Sequence, residues 1–118
     1  MEKCNFCNLS KSNKVIFKTK SFIFLKDNFP VYKGHHLLVS KRHIRSENEI
    51  NKKELQDYYN ASKKAFNFIR LRFNKEPMIF INAQQDQSVK HFHKHYIPGV
   101  FGVLGVLNAL KKIVKKKL

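Results

Sequence analysis

Apolar and polar residues follow one another along this chain with two periods, one of about two residues and one of about 3.6. Residues 15–17 and 21–26 are β-branched and aromatic runs separated by the polar Lys18, Thr19 and Lys20, the pattern of a hairpin. Pro30 forbids a central-strand position and Gly34 admits positive φ, so residues 28–34 form a connection to a third strand over residues 37–40. After a polar link, Asn51 stands three residues ahead of Glu54, as in a capping box. Leu55, Tyr58, Tyr59, Ser62, Ala65, Phe66, Ile69 and Phe73 then recur with helical spacing. Pro77 ends this helix, residues 78–81 read as a fourth strand, and residues 89–97 alternate as a fifth. From Gly99 onward Val103, Leu107, Leu110 and Val114 make an apolar stripe beside Lys111, Lys112, Lys115, Lys116 and Lys117, which predicts an amphipathic terminal helix.

Strands that follow one another without intervening helices favour antiparallel pairing. The order β-β-β-α-β-β therefore predicts an α+β fold: a five-stranded antiparallel sheet, one long covering helix and a C-terminal amphipathic helix. Residues 1–98 form the domain in this reading, and residues 99–118 a basic extension.

Composition narrows the class further. A length of 118 residues is one small domain, and 42% apolar residues with 11 Phe and 4 Tyr supply its core, which excludes a disordered chain. Two cysteines cannot build a disulfide scaffold and no apolar signal region follows Met1, so the expected location is the cytoplasm. No run approaches the roughly 18 to 20 apolar residues of a membrane span. Lys and Arg number 24 against 8 acidic residues, a net charge of +16. That charge suits nucleic acid or an anionic membrane surface, and it equally follows from a composition rich in Lys, Asn, Ile and Phe, so charge alone does not choose a partner.

The segment Gln87-Ser88-Val89-Lys90-His91-Phe92-His93-Lys94-His95-Tyr96-Ile97-Pro98 holds three of the six histidines. In an extended strand, positions i, i+2 and i+4 project from one face roughly 6.6 to 7 Å apart, with Phe92, Lys94 and Tyr96 on the other. Imidazoles titrate near neutrality, so such a column can divide the tasks of nucleophile, proton donor and phosphate partner. A solvated polar face or a transition-metal site is the competing reading. Cys4-Asn5-Phe6-Cys7 is a C-x2-C half-site that needs two more nitrogen or sulfur ligands to hold zinc, and its competing reading is a pair of reduced thiols.

At these residues the chain resembles the histidine triad family of nucleotide hydrolases and nucleotidyl transferases, whose signature His-φ-His-φ-His-φ-φ falls on residues 91–97. Gln87, Ser88 and Val89 match the usual lead-in, with Asp86 where the family commonly has glycine. A second block, Phe24-Leu25-Lys26-Asp27-Asn28-Phe29-Pro30 and then Gly34-His35-His36-Leu37-Leu38-Val39-Ser40-Lys41-Arg42-His43, is similar to the family's strand pattern, with Ser40 at a frequent proline. The resemblance spans residues 4–98. Two departures stand out: Lys94 occupies a usually apolar position, and residues 82–91 are shorter than usual and lack the family's glycines, which predicts a tighter phosphate loop. By strand alternation Lys94 should point away from the site.

The resemblance implies that His93 attacks the α-phosphorus of a purine nucleotide conjugate and forms a nucleotidyl-histidine that water releases, with no metal needed for the step. It groups His91, His95 and Ser88 with His93 as catalytic, His95 and the His93 amide donating to the phosphoryl oxygens. Asp27, Asn82, Gln87, Ser88 and His95 become the nucleotide-binding set, Asp27 on the ribose and Asn82 near the phosphate or leaving group. Asp27 also reads as a plain turn residue before Pro30. Histidine rather than glutamine at His95 implies hydrolysis of phosphoramidates or dinucleoside polyphosphates rather than transfer to sugar phosphates. Some members close a structural zinc site with the residues matching Cys4, Cys7, His43 and His91. A homodimer joined edge to edge is also implied, with the helix over residues 55–73 contributing. The rival functions are an end-processing enzyme acting on adenylated nucleic acid and a metal-dependent binding module without catalysis. His35 and His36 receive no role at this level.

Overall fold

The computed structural model describes residues 4–99 and, in the tail, residues 105, 107, 108, 110–112 and 114. Five strands, β1 (Val15–Lys18), β2 (Phe22–Lys26), β3 (His36–Ser40), β4 (Pro77–Ile81) and β5 (His93–Pro98), accompany one long helix, α1 (Lys52–Phe73). The sheet order is β1-β2-β3-β5-β4 and every pairing is antiparallel. The α+β architecture expected from the pattern is therefore the one found. The last strand in sequence lies inside the sheet, so its backbone is hydrogen-bonded on both edges.

Each element starts where local chemistry allows. The Asn51 side chain accepts from the Glu54 amide, and the Glu54 carboxylate accepts from the Asn51 amide, which satisfies two of the donors a helix start leaves over. Arg42 pairs with the same carboxylate at 2.8 Å, and its hydrogen bonds hold Glu54 below the usual carboxylate range. The far end of α1 stops at Asn74, which adopts the left-handed conformation (φ 56°), and Pro77 then opens the edge strand β4, where a missing amide is tolerated. Gly34 (φ +88°) admits no side chain: a Cβ there would lie 2.6 Å from Pro98 and 2.8 Å from Phe73.

The two faces of the sheet have different covers. Ala61, Ala65 and Ile69 of α1 pack on Phe22, Phe24, Leu38, Phe92 and Tyr96. On the opposite face, among the described residues, Ile23, Leu25, Leu37 and Val39 are packed against by Phe6 and Leu9 of the N-terminal segment. That thin cover is where a cleft opens. At the sheet edge β4 leaves Ile79 exposed, and α1 leaves Leu55 and Tyr59 exposed.

The fifth strand is shorter than its alternation predicts: it starts at His93, not at residue 89. Two backbone bonds explain this. The His91 amide donates to the Val89 carbonyl, closing a tight turn, and the Phe92 amide donates to Ile44 rather than to β3, which has already ended at Ser40. His91 thus lies just outside the ladder. In the tail the described residues are helical, Leu107, Leu110 and Val114 are exposed, and the Lys112 ammonium sits 4.3 Å from the centre of the Tyr32 ring. Val103, Lys115, Lys116 and Lys117 of the expected stripe lie outside the described residues. Among the described residues no helix is long and apolar enough to cross a membrane.

Lys94 points to the helix side, as alternation requires. Its ammonium donates to Ser62 Oγ at 2.8 Å and lies 4.4 Å from the Tyr58 ring centre, and the residue is only 8% exposed. Burial lowers its pKa to about 8, against a weaker opposing pull from Glu47. An unfolded lysine keeps its proton to about 10.5, so above pH 8 the unfolded chain binds more protons and stability rises with pH until about 10. The Tyr58 and Tyr96 hydroxyls, held up by burial, act in the other direction only above that range. Lys94→Met is expected to stabilise the protein at pH 7 by roughly 2 kcal/mol and to abolish the rise between pH 8 and 10. Urea unfolding of both proteins across that interval checks this; parallel pH profiles would contradict it.

Candidate active site and cysteine-histidine cluster

The register of β5 against β3 sets His93 opposite Val39 and His95 opposite Leu37, so both imidazoles emerge on the face that α1 leaves uncovered. Their ring centres are 4.9 Å apart. The His93 Nδ1–H donates to the His91 carbonyl at 2.7 Å; a carbonyl can only accept, so the proton is on Nδ1 and the lone pair on Nε2. Phe6 sets its ring edge-on to both His91 and His93, at 5.9 and 5.2 Å between centres.

His95 is held by a chain of side chains. Its Nε2–H donates to Asn82 Oδ1 at 2.8 Å, and its Nδ1 accepts from His35 Nε2–H at 2.9 Å. The Val31 amide donates to His35 Nδ1, which is why the His35 proton sits on Nε2, and that same nitrogen lies 3.3 Å from Asp27 Oδ2. Asp27, His35 and His95 are close enough for three metal ligands, but a proton on His35 Nε2 already satisfies the other two atoms. Phe80, paired with His95 across β4 and β5, stacks on its ring at 4.3 Å and 7°.

His35 is the functional contact the sequence reading left unassigned. The signal was available: residues 35, 37 and 39 share the face of 93 and 95. Its neighbour His36 takes the opposite face, stacked on Phe24 at 5.2 Å with Nδ1–H donating to the Gly34 carbonyl, and burial lowers its pKa. Alternation alone separates these adjacent histidines into a site residue and a core residue.

A cleft of about 660 Å³ lies beside His93, with Phe6, Asp27, Phe29, Leu37 and Ser88 among its walls. Asp27 fits both of its sequence readings, since one oxygen accepts from the Phe29 amide at 2.9 Å in the turn while the residue also lines the cleft. Gln87, expected to contact the nucleotide, is not among the residues lining this cleft. Its amide group is taken up by Arg45, donating to the Arg45 carbonyl at 2.7 Å and accepting from Arg45 Nε at 3.3 Å.

His91 turns away from the column expected of three imidazoles. Its Nε2–H donates to the Ser40 carbonyl at 2.7 Å, leaving the Nδ1 lone pair toward Cys4 Sγ (3.3 Å), Cys7 Sγ (3.5 Å) and His43 Nδ1 (3.1 Å). Cys7 Sγ and His43 Nδ1 are 3.0 Å apart. A tetrahedral ion with bonds of about 2.0 to 2.3 Å separates its ligands by about 3.3 to 3.8 Å, so these spacings suit one without large movement. Burial and the adjacent Cys4 push the Cys7 thiol up, a penalty that a central cation would offset. Cys4, Cys7, His43 and His91 could thus hold a metal ion. The ring of His91 belongs to this cluster, and what it gives to the cleft is its backbone carbonyl under His93.

The comparisons with known proteins agree with this geometry. The family model of the HIT domain matches residues 8–102. The chain is 28% identical over 103 residues to Protein hit of Bacillus subtilis, covering 82% of this chain and 71% of that one. It is also 28% identical over 95 residues to a bis(5'-adenosyl)-triphosphatase of Dictyostelium discoideum, covering 76% and 62%. Among solved structures, a HIT family hydrolase from Clostridium thermocellum superposes with a TM-score of 0.69 at 26% identity, over 86% of this chain and 95% of that one. A member of the HIT family from Bacillus subtilis shares the fold with a TM-score of 0.73 at 24% identity, over 98% and 97%. With this match, and with His93 and His95 on one face of an inner strand and a cleft beside His93, the chain belongs to the HIT domain family.

Proposed function

We propose that this chain hydrolyses nucleoside phosphoramidates or dinucleoside polyphosphates at the α-phosphorus, with His93 as the nucleophile. The observation that carries the reading is the hydrogen bond from His93 Nδ1 to the His91 carbonyl, which presents the Nε2 lone pair beside a cleft of nucleotide size. Nε2 attacks phosphorus, and the P–N or P–O bond to the leaving group breaks as the P–Nε2 bond forms. Water then displaces the imidazole, giving a nucleoside monophosphate and restoring His93. On substrate binding the Nε2–H of His95 exchanges Asn82 Oδ1 for a phosphoryl or leaving-group oxygen, with Ser88 on the cleft wall as a second donor. Asp27 serves the ribose hydroxyls from the cleft side while its other oxygen stays in the turn. The family membership and the name of the Dictyostelium relative support a hydrolase of this kind.

Zinc is the ion we assign to Cys4, Cys7, His43 and His91, since two thiolates and two imidazoles are its usual tetrahedral donor set. When bound it would supply charge neutralisation for the thiolates and pin the N-terminal segment. His91 offers Nδ1 to it while Ser40 keeps the ring in place, the outer hydrogen bond that histidine ligands usually carry.

His93→Ala is expected to lower turnover of an adenosine phosphoramidate by at least about 1000-fold while AMP still binds within severalfold of wild type, measured by steady-state kinetics and calorimetry. Retained turnover would reject His93 as the nucleophile. Elemental analysis of the purified protein is expected to find about one zinc per chain, and a Cys4→Ser, Cys7→Ser double variant to lose the metal and melt at lower temperature. A zinc-free wild type that melts together with the double variant would discard the assignment.

A further inference from the structure

The turn that leads into Ser88 lacks the glycines seen in the family pattern, and the structure supplies a physical substitute. Residues Gln84–Asp86 form a 3-10 turn closed by the Asp86 amide on Ala83 and the Gln87 amide on Gln84. Among the described residues positive φ occurs only at Gly34 and Asn74, so no residue of this turn uses the backbone freedom of glycine. A 3-10 turn of three residues has poor intrinsic stability and needs outside contacts to stay in one geometry.

Arg45 supplies such contacts. Arg45 Nη2 donates to the Gln84 carbonyl at 2.8 Å, Arg45 Nε donates to Gln87 Oε1 at 3.3 Å, and Gln87 Nε2 returns a bond to the Arg45 carbonyl at 2.7 Å. Gln87 is 8% exposed, so its two bonds with Arg45 are partly sheltered from water, while the bond to the Gln84 carbonyl lies at the surface. Arg45 itself is anchored. Its amide donates to Glu49 Oε2, within the capping box of the turn Glu47–Glu49, and the preceding carbonyl of Ile44 accepts from the Phe92 amide just before β5. One residue therefore ties together the exit of β3, the turn before Ser88 and the approach to His93.

We propose that Arg45 is the positioning residue of the phosphate-binding turn, holding Ser88 and the backbone around it against His93 by a side-chain clamp in place of glycine-shaped backbone; this rests on the nucleotide reading above. Arginine is required because its planar group reaches two acceptors in fixed directions, the Gln84 carbonyl and the Gln87 amide oxygen, which a lysine ammonium cannot do together. Gln87 is then a clamp partner and not a nucleotide ligand. Since the nucleoside is gripped elsewhere in the cleft, loss of the clamp should misalign the phosphoryl group more than it weakens binding.

The test compares wild type with Arg45→Ala, Arg45→Lys, Gln87→Ala and the Arg45→Ala, Gln87→Ala double variant. Kinetics with adenosine phosphoramidate, calorimetry with AMP and amide hydrogen exchange of the free protein are the three readouts. Expected are a fall in kcat of about 10- to 100-fold in every single variant, no rescue by lysine, and an AMP Kd within about threefold of wild type. The double variant should be no worse than Arg45→Ala alone, because both substitutions break one unit. Exchange should quicken at residues 84–88 and stay unchanged in α1 and β2. Wild-type kcat in Arg45→Ala, additive losses in the double variant, or unchanged exchange at residues 84–88 would each overturn the clamp. Should wild type neither bind AMP nor turn over the substrate, the nucleotide reading fails, and hydrogen exchange still decides whether Arg45 holds the turn.

Discussion

One hydrogen bond organises this molecule's chemistry: the imidazole of His93 donating Nδ1–H to the carbonyl of His91, two residues earlier. It requires that the backbone at His91 has left the ladder while His93 is already in it, and the break at Phe92, whose amide goes to Ile44, provides that. Had the strand run on from residue 89, the His91 carbonyl would be engaged with a neighbouring strand and the tautomer of His93 would be unset. The shortening of β5 is thus the local irregularity that lets three histidines spaced two apart do three different things.

The rest of the structure can be read as support for that point. An inner strand with hydrogen bonds on both edges is the stiffest place to mount reactive side chains. Behind it, Phe92 and Tyr96 anchor the strand in the helix-covered core with 0% exposure. In front, among the described residues, Phe6 and Leu9 cover the sheet, and the segment bearing them is held at its start by Cys4 and Cys7 meeting His43 and His91. Cys4 belongs to the cluster and also lines the cleft, and the two meet again at His91, whose carbonyl holds the His93 ring. A small domain without disulfides gains most from a metal clip at such a place, where one ion orders a segment that has little apolar area of its own to bury.

Much of this was legible before any coordinates. The helix start at Asn51, the five strands, the placing of Lys94 on the face away from the site and the meeting of Cys4 and Cys7 with His43 and His91 follow from caps, alternation and spacing that act locally or through one family pattern. What escaped depends on which backbone groups pair across long loops. The lost first turn of β5 comes from Ile44, the clamp on Gln87 from Arg45, and the hold on His95 from His35, each separated by more than 40 residues from its partner. No periodicity encodes such pairings. The alternation that placed His93 and His95 could have placed His35 as well, had the third strand been extended back through Gly34.

The most direct measurement is the proton position on each ring. Long-range nitrogen-proton correlation spectra of the uniformly labelled protein, taken above pH 8 so that the imidazoles are neutral, report which nitrogen of each histidine carries hydrogen. His93 is expected as the Nδ1–H tautomer and His91 and His95 as Nε2–H, with the His91 Nδ1 shifted by metal. A His93 ring protonated on Nε2, with its lone pair turned to the His91 side, would contradict the division of labour on which the whole site is built.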